Sequence, residues 1–254
     1  MKKYACPEQT QYGFTLVEIA MVLLIITLLL VGLVPTISSQ MEQQRTNETR
    51  KQMSEISDAL IGFALRNGRL PCAARAATPT GQSFSGVYAG NEYPDCSNAG
   101  FAANAYGVVP WVTLGTSETD GWGNRFTYRV SSDFADSIAS ATYGGCTPSP
   151  APTQATFGLC SAGDPDIYSA ATWVTTVAND VPAIIISHGK NGAGAYTPQG
   201  TQRPAGSTDE QENTDHSSDW KYVSRIPTSD FDDLVGWVTP NILANRMVAA
   251  GKLP

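Results

Sequence analysis

Residues 12–35 read YGFTLVEIAMVLLIITLLLVGLVP. From Phe14 to Val34 the only charged side chain is Glu18. As a helix this run would be roughly 31 Å long at about 1.5 Å per residue, the thickness of a bilayer's hydrocarbon core. Its apolar side chains fall on every face, unlike a soluble helix with one buried stripe. A secretory signal peptide has a shorter apolar stretch followed by a small-residue cleavage site. Val34-Pro35-Thr36 is a poor site of that kind, so the segment reads as retained. Lys2 and Lys3 precede it, and positive flanks stay in the cytoplasm. The expectation is a single-pass inner-membrane segment in contact with lipid, with everything after Pro35 in the periplasm.

The 254 residues suit one or two domains, and 42% apolar residues suffice for a core. Lys and Arg number 16 against 23 Asp and Glu, with no basic cluster. That balance argues against gripping a phosphate backbone, so no nucleic-acid partner is expected.

There are five cysteines: Cys6, Cys72, Cys96, Cys146 and Cys160. An odd count is awkward in an exported chain. It becomes even if Cys6 lies in a leader that is cut away. The remaining four allow three pairings in an oxidising compartment. The local one, Cys72–Cys96 with Cys146–Cys160, is favoured. Its second bridge closes the Pro/Thr-rich loop CTPSPAPTQATFGLC, for which loop-closure entropy gives about 3 kcal/mol.

The string GFTLVE resembles the leader junction of type IV pilins and type II secretion pseudopilins. The resemblance covers about the first fifty residues. It implies that a prepilin peptidase cuts between Gly13 and Phe14 and methylates the new Phe14 amine. It also implies that Glu18 pairs with the amine of a neighbouring subunit and so sets the stagger of a filament. A carboxylate at membrane depth costs a few kcal/mol unless paired, and nothing within its own apolar helix is expected to satisfy it. Pro35 matches a proline at which the family's helix bends. With Gly32, it marks a place where the helix could bend or melt during packing.

Beyond Pro35 the helix continues. Met41, Met53, Ile56, Leu60 and Phe63 form an apolar stripe at helical spacing. Asn67-Gly68, with Pro71 beyond, ends it. From Phe14 to Arg66 this makes roughly 80 Å of helix. Residues 71–108 read as a long surface loop. Strands are expected at 125–130, 166–177, 182–187 and 220–225, with the apolar run VPAIIIS central in a sheet. The stretch DGWGN, residues 120–124, resembles a D-P-W-G-N turn of major pseudopilins, with Gly121 in place of proline and Trp122 as a core plug. Thr239-Pro240 starts a last short helix that ends at Gly251.

SHGKNGAGA, residues 187–195, resembles the loop that leads into the calcium loop of major pseudopilins. The resemblance implies one structural calcium. Asp209, Glu212 and Asp215 in DEQENTDHSSD are its candidate side-chain ligands, with Asn213 beside them. Calcium takes six to eight hard oxygens, although a solvated acidic loop would read the same way. No catalytic residue stands out. The two histidines, His188 and His216, have no metal-ligand spacing, and no nucleophile elbow or phosphate loop occurs.

The expected fold is α+β: a long N-terminal helix, membrane-spanning in its first half, packed on a small antiparallel β-sheet domain with long disulfide-tied loops. The divisions are a leader (1–13), a transmembrane or filament-core helix (14–35), an amphipathic half (36–67) and a globular domain (68–254). The expected function is that of a structural, non-enzymatic subunit of a type IV pilus-like or type II secretion filament, a minor pilin or pseudopilin. By resemblance its partners are a prepilin peptidase, other pilin subunits, a platform protein and an assembly ATPase. Two alternatives are a tip adhesin and an anchored domain that never polymerises.

Overall fold

The computed structural model describes residues 13–94, 96, 105–214 and 219–254, apart from the side chains of 30–37 and 140. In chain order the elements are α1 (Leu16–Asn67), β1 (Ser83–Phe84), β2 (Val87–Tyr88), β3 (Tyr106–Val108), α2 (Trp111–Leu114), β4 (Thr127–Val130), α3 (Ser132–Ala135), β5 (Asp166–Tyr168), β6 (Thr176–Ala178), β7 (Ala183–Ser187), α4 (Thr208–Glu212), β8 (Lys221–Val223), β9 (Leu234–Val238) and α5 (Pro240–Ala249). The chain divides into two compact units, Met1–Gln44 and Arg45–Pro254, with the division inside α1.

The second unit is built on a four-stranded antiparallel sheet in the order β3-β4-β7-β9. Strand β7 is interior and buried at every position. Successive side chains of a strand point to opposite faces. Ala183 and Ile185 therefore join the core formed with Met53, Ile56, Leu60 and Ala64 of α1 and Leu243 and Met247 of α5. Ile184 and Ile186 join Ile167, Val181 and Tyr222 on the other face. Burial on both sides explains why this strand is a continuous apolar run rather than an alternation. Full burial of Ile56 and Leu60 stabilises the helix–sheet contact by about 1.5–3 kcal/mol each.

The expected stripe holds for Met53, Ile56, Leu60 and Phe63, whereas Met41 is exposed. The helix ends as read. Gly68 takes φ +72°, and its N–H bonds Ala64 O at 2.8 Å. A Cβ there would fall 2.0 Å from Gln154 O, so the left-handed turn also permits a close approach. Gly68 O in turn accepts the Thr156 N–H at 2.9 Å, joining the helix end to the Cys146–Cys160 loop. Both bridges form as favoured, Cys72–Cys96 and Cys146–Cys160.

Several local expectations are revised. Residues 166–177 are not one strand but a hairpin, β5 and β6, and β5 also pairs in parallel with β8. Residues 71–108 are not purely surface. Cys72, Ala73, Ala74, Ala76 and Ala89 are buried, and Ala74 bridges Val108. Their side chains are small enough to pack with few apolar carbons, a signal that hydropathy reading misses. In the 120–124 turn the buried residues are Asp120 and Asn124, while Trp122 is half-buried against the core. Asp120 Oδ1 accepts the N–H groups of Trp122 (2.9 Å) and Asn124 (3.0 Å), and Oδ2 accepts the Ser187 hydroxyl at 2.7 Å. Gly121 donates its N–H to the Thr49 hydroxyl at 3.0 Å. A Cβ on Gly121 would lie 2.8 Å from Arg45 O, so a small residue lets the turn sit on α1.

The larger correction concerns the membrane. Among the described residues, no helix is long and apolar enough to cross one. The apolar part of α1 with described side chains, 16–29, is roughly 21 Å long at 1.5 Å per residue, against a hydrocarbon core of about 30 Å. The membrane-spanning first half of the helix is therefore overturned. The single-pass inner-membrane location with a periplasmic domain falls with it. Gly32 and Pro35 lie within the helical span, and their side chains are outside the described set.

Candidate functional site

At the chain start, residues 13–15 are not helical, and α1 begins at Leu16. Gly13 and Phe14 are exposed, so the expected cleavage junction lies just outside the first helical turn. Thr15 occupies the position before the helix. Its hydroxyl accepts the Glu18 N–H at 3.3 Å, and Glu18 Oε2 accepts the Thr15 N–H at 3.1 Å and its hydroxyl at 3.0 Å. This reciprocal capping box satisfies helix-end donors with no outside partner. The expectation that Glu18 finds nothing in its own helix is thus corrected, and the T-x-x-E spacing in the sequence was the signal for it. Hydrogen bonding from the Thr15 backbone, then from its hydroxyl, holds the Glu18 carboxyl below its usual value.

From Leu16 onward the helix exposes large apolar side chains all round. Phe14, Leu16, Val17, Met21, Leu24, Leu28 and Leu29 are each more than half exposed. Such a surface is uncommon on a monomer that meets only water.

The second site lies in the globular unit, where the loop after β7 meets α4 and the start of β9. Glu210, Asp232 and Asp233 place carboxylate oxygens within 4.8 Å of one another. Glu210 is fixed by a capping box with Ser207, whose N–H bonds Glu210 Oε2 at 2.8 Å, while Glu210 Oε1 accepts Asn191 Nδ2 at 2.7 Å. The Asn191 N–H bonds Asp232 Oδ2 at 2.9 Å. Asn213 holds Asp233 Oδ2 at 2.7 Å and brackets Val223 of β8 through both its side-chain groups. Two glycines allow this crowding. A Cβ on Gly189 (φ +56°) would fall 2.3 Å from Asp232 O, and one on Gly206 would fall 1.9 Å from Glu210 Oε2.

Two oxygens are left over. Asp232 Oδ1 and Asp233 Oδ1 are buried without a hydrogen-bond partner. His188 Nδ1 stands 3.6 Å from Asp233 Oδ1, too far for a hydrogen bond, while its Nε2 lies 2.8 Å from the Thr127 hydroxyl. Burial pushes the Asp232 carboxyl up, and the Asp233 and Glu210 charges push it the same way against the Asn191 N–H. Oxygen-only donors, orphaned buried carboxylate atoms and mutual repulsion together fit a hard divalent cation such as calcium. Glu210, Asp232 and Asp233 would hold it.

The residues expected to ligate are elsewhere. Asp209 accepts Arg225 Nε at 2.8 Å and the Ala171 N–H at 2.9 Å, so it staples α4 to neighbouring loops. Glu212 is half-buried and is not one of the three grouped carboxylates. Asp215 lies outside the described residues. Glu210 of the cluster lies between the expected Asp209 and Glu212, and Asp232-Asp233, whose sequence signal is a paired carboxylate entering an apolar strand, were not among the expected ligands. Thr127, His188 and Asp233 stand in the order of a nucleophile, a base and its orienting acid, and all three are buried.

No protein-family model matches this chain, nor does any curated protein or solved structure.

Proposed function

We propose that this chain is a structural filament subunit of the pilin or pseudopilin kind, assembled through the apolar start of α1. The observation that carries the reading is that start itself: an exposed, non-helical Gly13-Phe14 junction, a self-contained Thr15–Glu18 cap, and a helix apolar on all sides. A helix with no polar face needs other apolar helices around it, and copies of itself supply them. A prepilin peptidase would act at the junction, and a platform protein and assembly ATPase would serve polymerisation. One calcium at Glu210, Asp232 and Asp233 would tie the loop after β7 to β9 and stiffen the globular unit. The test is mass spectrometry of the mature N-terminus. A chain beginning at N-methylated Phe14 supports the reading, and one beginning at Met1 or beyond Pro35 overturns it.

A tip or minor subunit with a binding surface is the second reading. It is favoured by the β5–β6 hairpin, where Val174 is 83% exposed beside the edge-on pair Tyr168 and Trp173. Abundance separates the two: a major subunit dominates sheared filaments, and a tip subunit is rare in them.

A further inference from the structure

The four-stranded sheet has β3 and β9 as its outer strands, and the three-stranded sheet has β6 and β8. An outer strand offers a row of unpaired N–H and C=O groups, which proteins usually guard. Strands β3, β8 and β6 are guarded. Ala74 exchanges both backbone hydrogen bonds with Val108 of β3, at 2.9 and 3.0 Å. Asn213 brackets Val223 of β8, accepting its N–H at 2.8 Å and donating to its carbonyl at 3.0 Å. A register shift interrupts β6 where it pairs with β5. Strand β9 has no such guard. It pairs with β7 along one side, and no other described residue bonds its backbone. Its sequence, LVGWV, carries neither charge nor proline. Beside it lies a groove of about 580 Å³ that no residue of β7 lines. Residues 234–236 of β9, Arg50 and Met53 of α1, and Ile226-Pro227 border this groove. Ile226 is 84% exposed. Arg225, also on the groove, is held by Asp209 and Asp230, and the buried Asp233 is held by Asn213. Arg50 is exposed and makes no ion pair or hydrogen bond among the described residues.

We propose that this groove binds an extended peptide strand of a partner protein, which pairs with β9 and sets a carboxylate on Arg50. The proposal does not depend on the filament reading. In strand addition the main-chain hydrogen bonds supply affinity, and pockets for alternate side chains supply specificity. Here the free backbone of β9 takes the bonds, and the apolar carbons of Met53 and Ile226 take the side chains that point their way. Arginine forks onto a carboxylate through two parallel hydrogen bonds, so the uncommitted Arg50 selects an acidic residue or a chain terminus. A helix or a small organic anion would leave the β9 backbone unpaired. A second copy of this chain suits the groove less well, because each copy carries a net charge of −7 and its open outer strand β6 is interrupted by the register shift.

The test selects binders to the whole chain, purified in detergent, from a random library of short peptides. Selected peptides should alternate β-branched or aromatic residues and carry Asp, Glu or a free terminal carboxylate. A selected peptide should protect the backbone N–H groups of 234–238 from hydrogen exchange. Methylating every second backbone nitrogen of the peptide, on the edge that meets β9, should abolish binding. Arg50→Glu should weaken binding by about tenfold or more and turn the selection toward Lys. Ile226→Asp should weaken it as well. Both side chains are exposed, so neither variant should change the melting temperature. The proposal is overturned if no peptide is selected, if binding survives methylation on either edge, or if Arg50→Glu binds as the wild-type chain does. Protection of 234–238 that rises with chain concentration in the absence of peptide would assign the edge to a second copy and overturn it too.

Discussion

The Glu18 carboxylate accepts both the N–H and the hydroxyl of Thr15, and the Thr15 hydroxyl accepts the Glu18 N–H in return. The charge inside the apolar run is therefore satisfied within its own chain before any neighbour arrives. Capping and intersubunit pairing can be separated by mutation. Thr15→Val removes the cap and keeps the charge; Glu18→Gln removes the charge and keeps a capping side chain. If Glu18 also meets a neighbouring amine, Glu18→Gln should abolish filaments while Thr15→Val should only reduce them, as counted by electron microscopy of sheared material.

The same pair predicts a titration. The folded Glu18 carboxyl lies below its usual value of 4.5. Its contribution to the helix start is full above the unfolded value and is lost as pH falls through the folded one. Carboxyl NMR should place the Glu18 midpoint higher in Thr15→Val than in the wild-type chain. Equal midpoints would remove the capping box from the account.

Calcium should raise the melting temperature of the globular unit, and a chelator should reverse it. Free calcium at a hundred times Kd corresponds to about 2.7 kcal/mol. Asp232→Asn and Asp233→Asn should each erase the response. Asp209→Asn breaks the Arg225 ion pair and should lower the starting melting temperature, yet leave the calcium shift intact. A calcium shift that depends on Asp209 and not on Asp232 would return the site to the acidic segment 209–219.

Asp120 anchors the 120–124 turn through three hydrogen bonds. Asp120→Ala should cost about 3 kcal/mol, since buried donors lose their acceptor. Burial pushes its carboxyl up, against the Ser187 hydroxyl and the turn's N–H groups. The native state then holds this proton more tightly than the unfolded chain does. Stability from Asp120 accordingly falls as pH rises from the ordinary 3.8 through the folded value. Asp120→Asn should flatten that limb of the urea midpoint plotted against pH.

Replacing Cys146 and Cys160 together by alanine should cost about 3 kcal/mol, the loop-closure value for a ring of this size. Denaturant melts of the two oxidised chains would measure it. No difference would mean that the loop is held by its non-covalent contacts, among them those to Gly68, Tyr143 and Lys252.

What the sequence made legible had a periodic or compositional signature. The α1 stripe from Met53 to Phe63, the buried strand 183–187, the Asn67-Gly68 stop and the Thr239-Pro240 start all follow from spacing and backbone preference. The disulfide partners followed from proximity along the chain. The carboxylate cluster did not, because Glu210 lies 22 and 23 residues before Asp232 and Asp233 and meets them only when β9 docks on β7. Small residues hid the burial of 72–76, where alanines fill space that hydropathy patterns assign to larger side chains. Strand β9 was missed because Gly236 sits in its middle, where Met53 packs against the backbone and a side chain would be in the way.

The bond from Thr156 to Gly68 fixes where a pull on the helix would go. A chain tugged along α1 passes tension out of the last helical turn into Gly68. From there it runs along the backbone into Arg69, and the hydrogen bond from Thr156 shares it with a ring that Cys146 and Cys160 close. Reducing that ring would leave every contact in place at rest. It would let the chain lengthen under load, so besides its equilibrium contribution the bridge should shorten the length released in a force-extension trace.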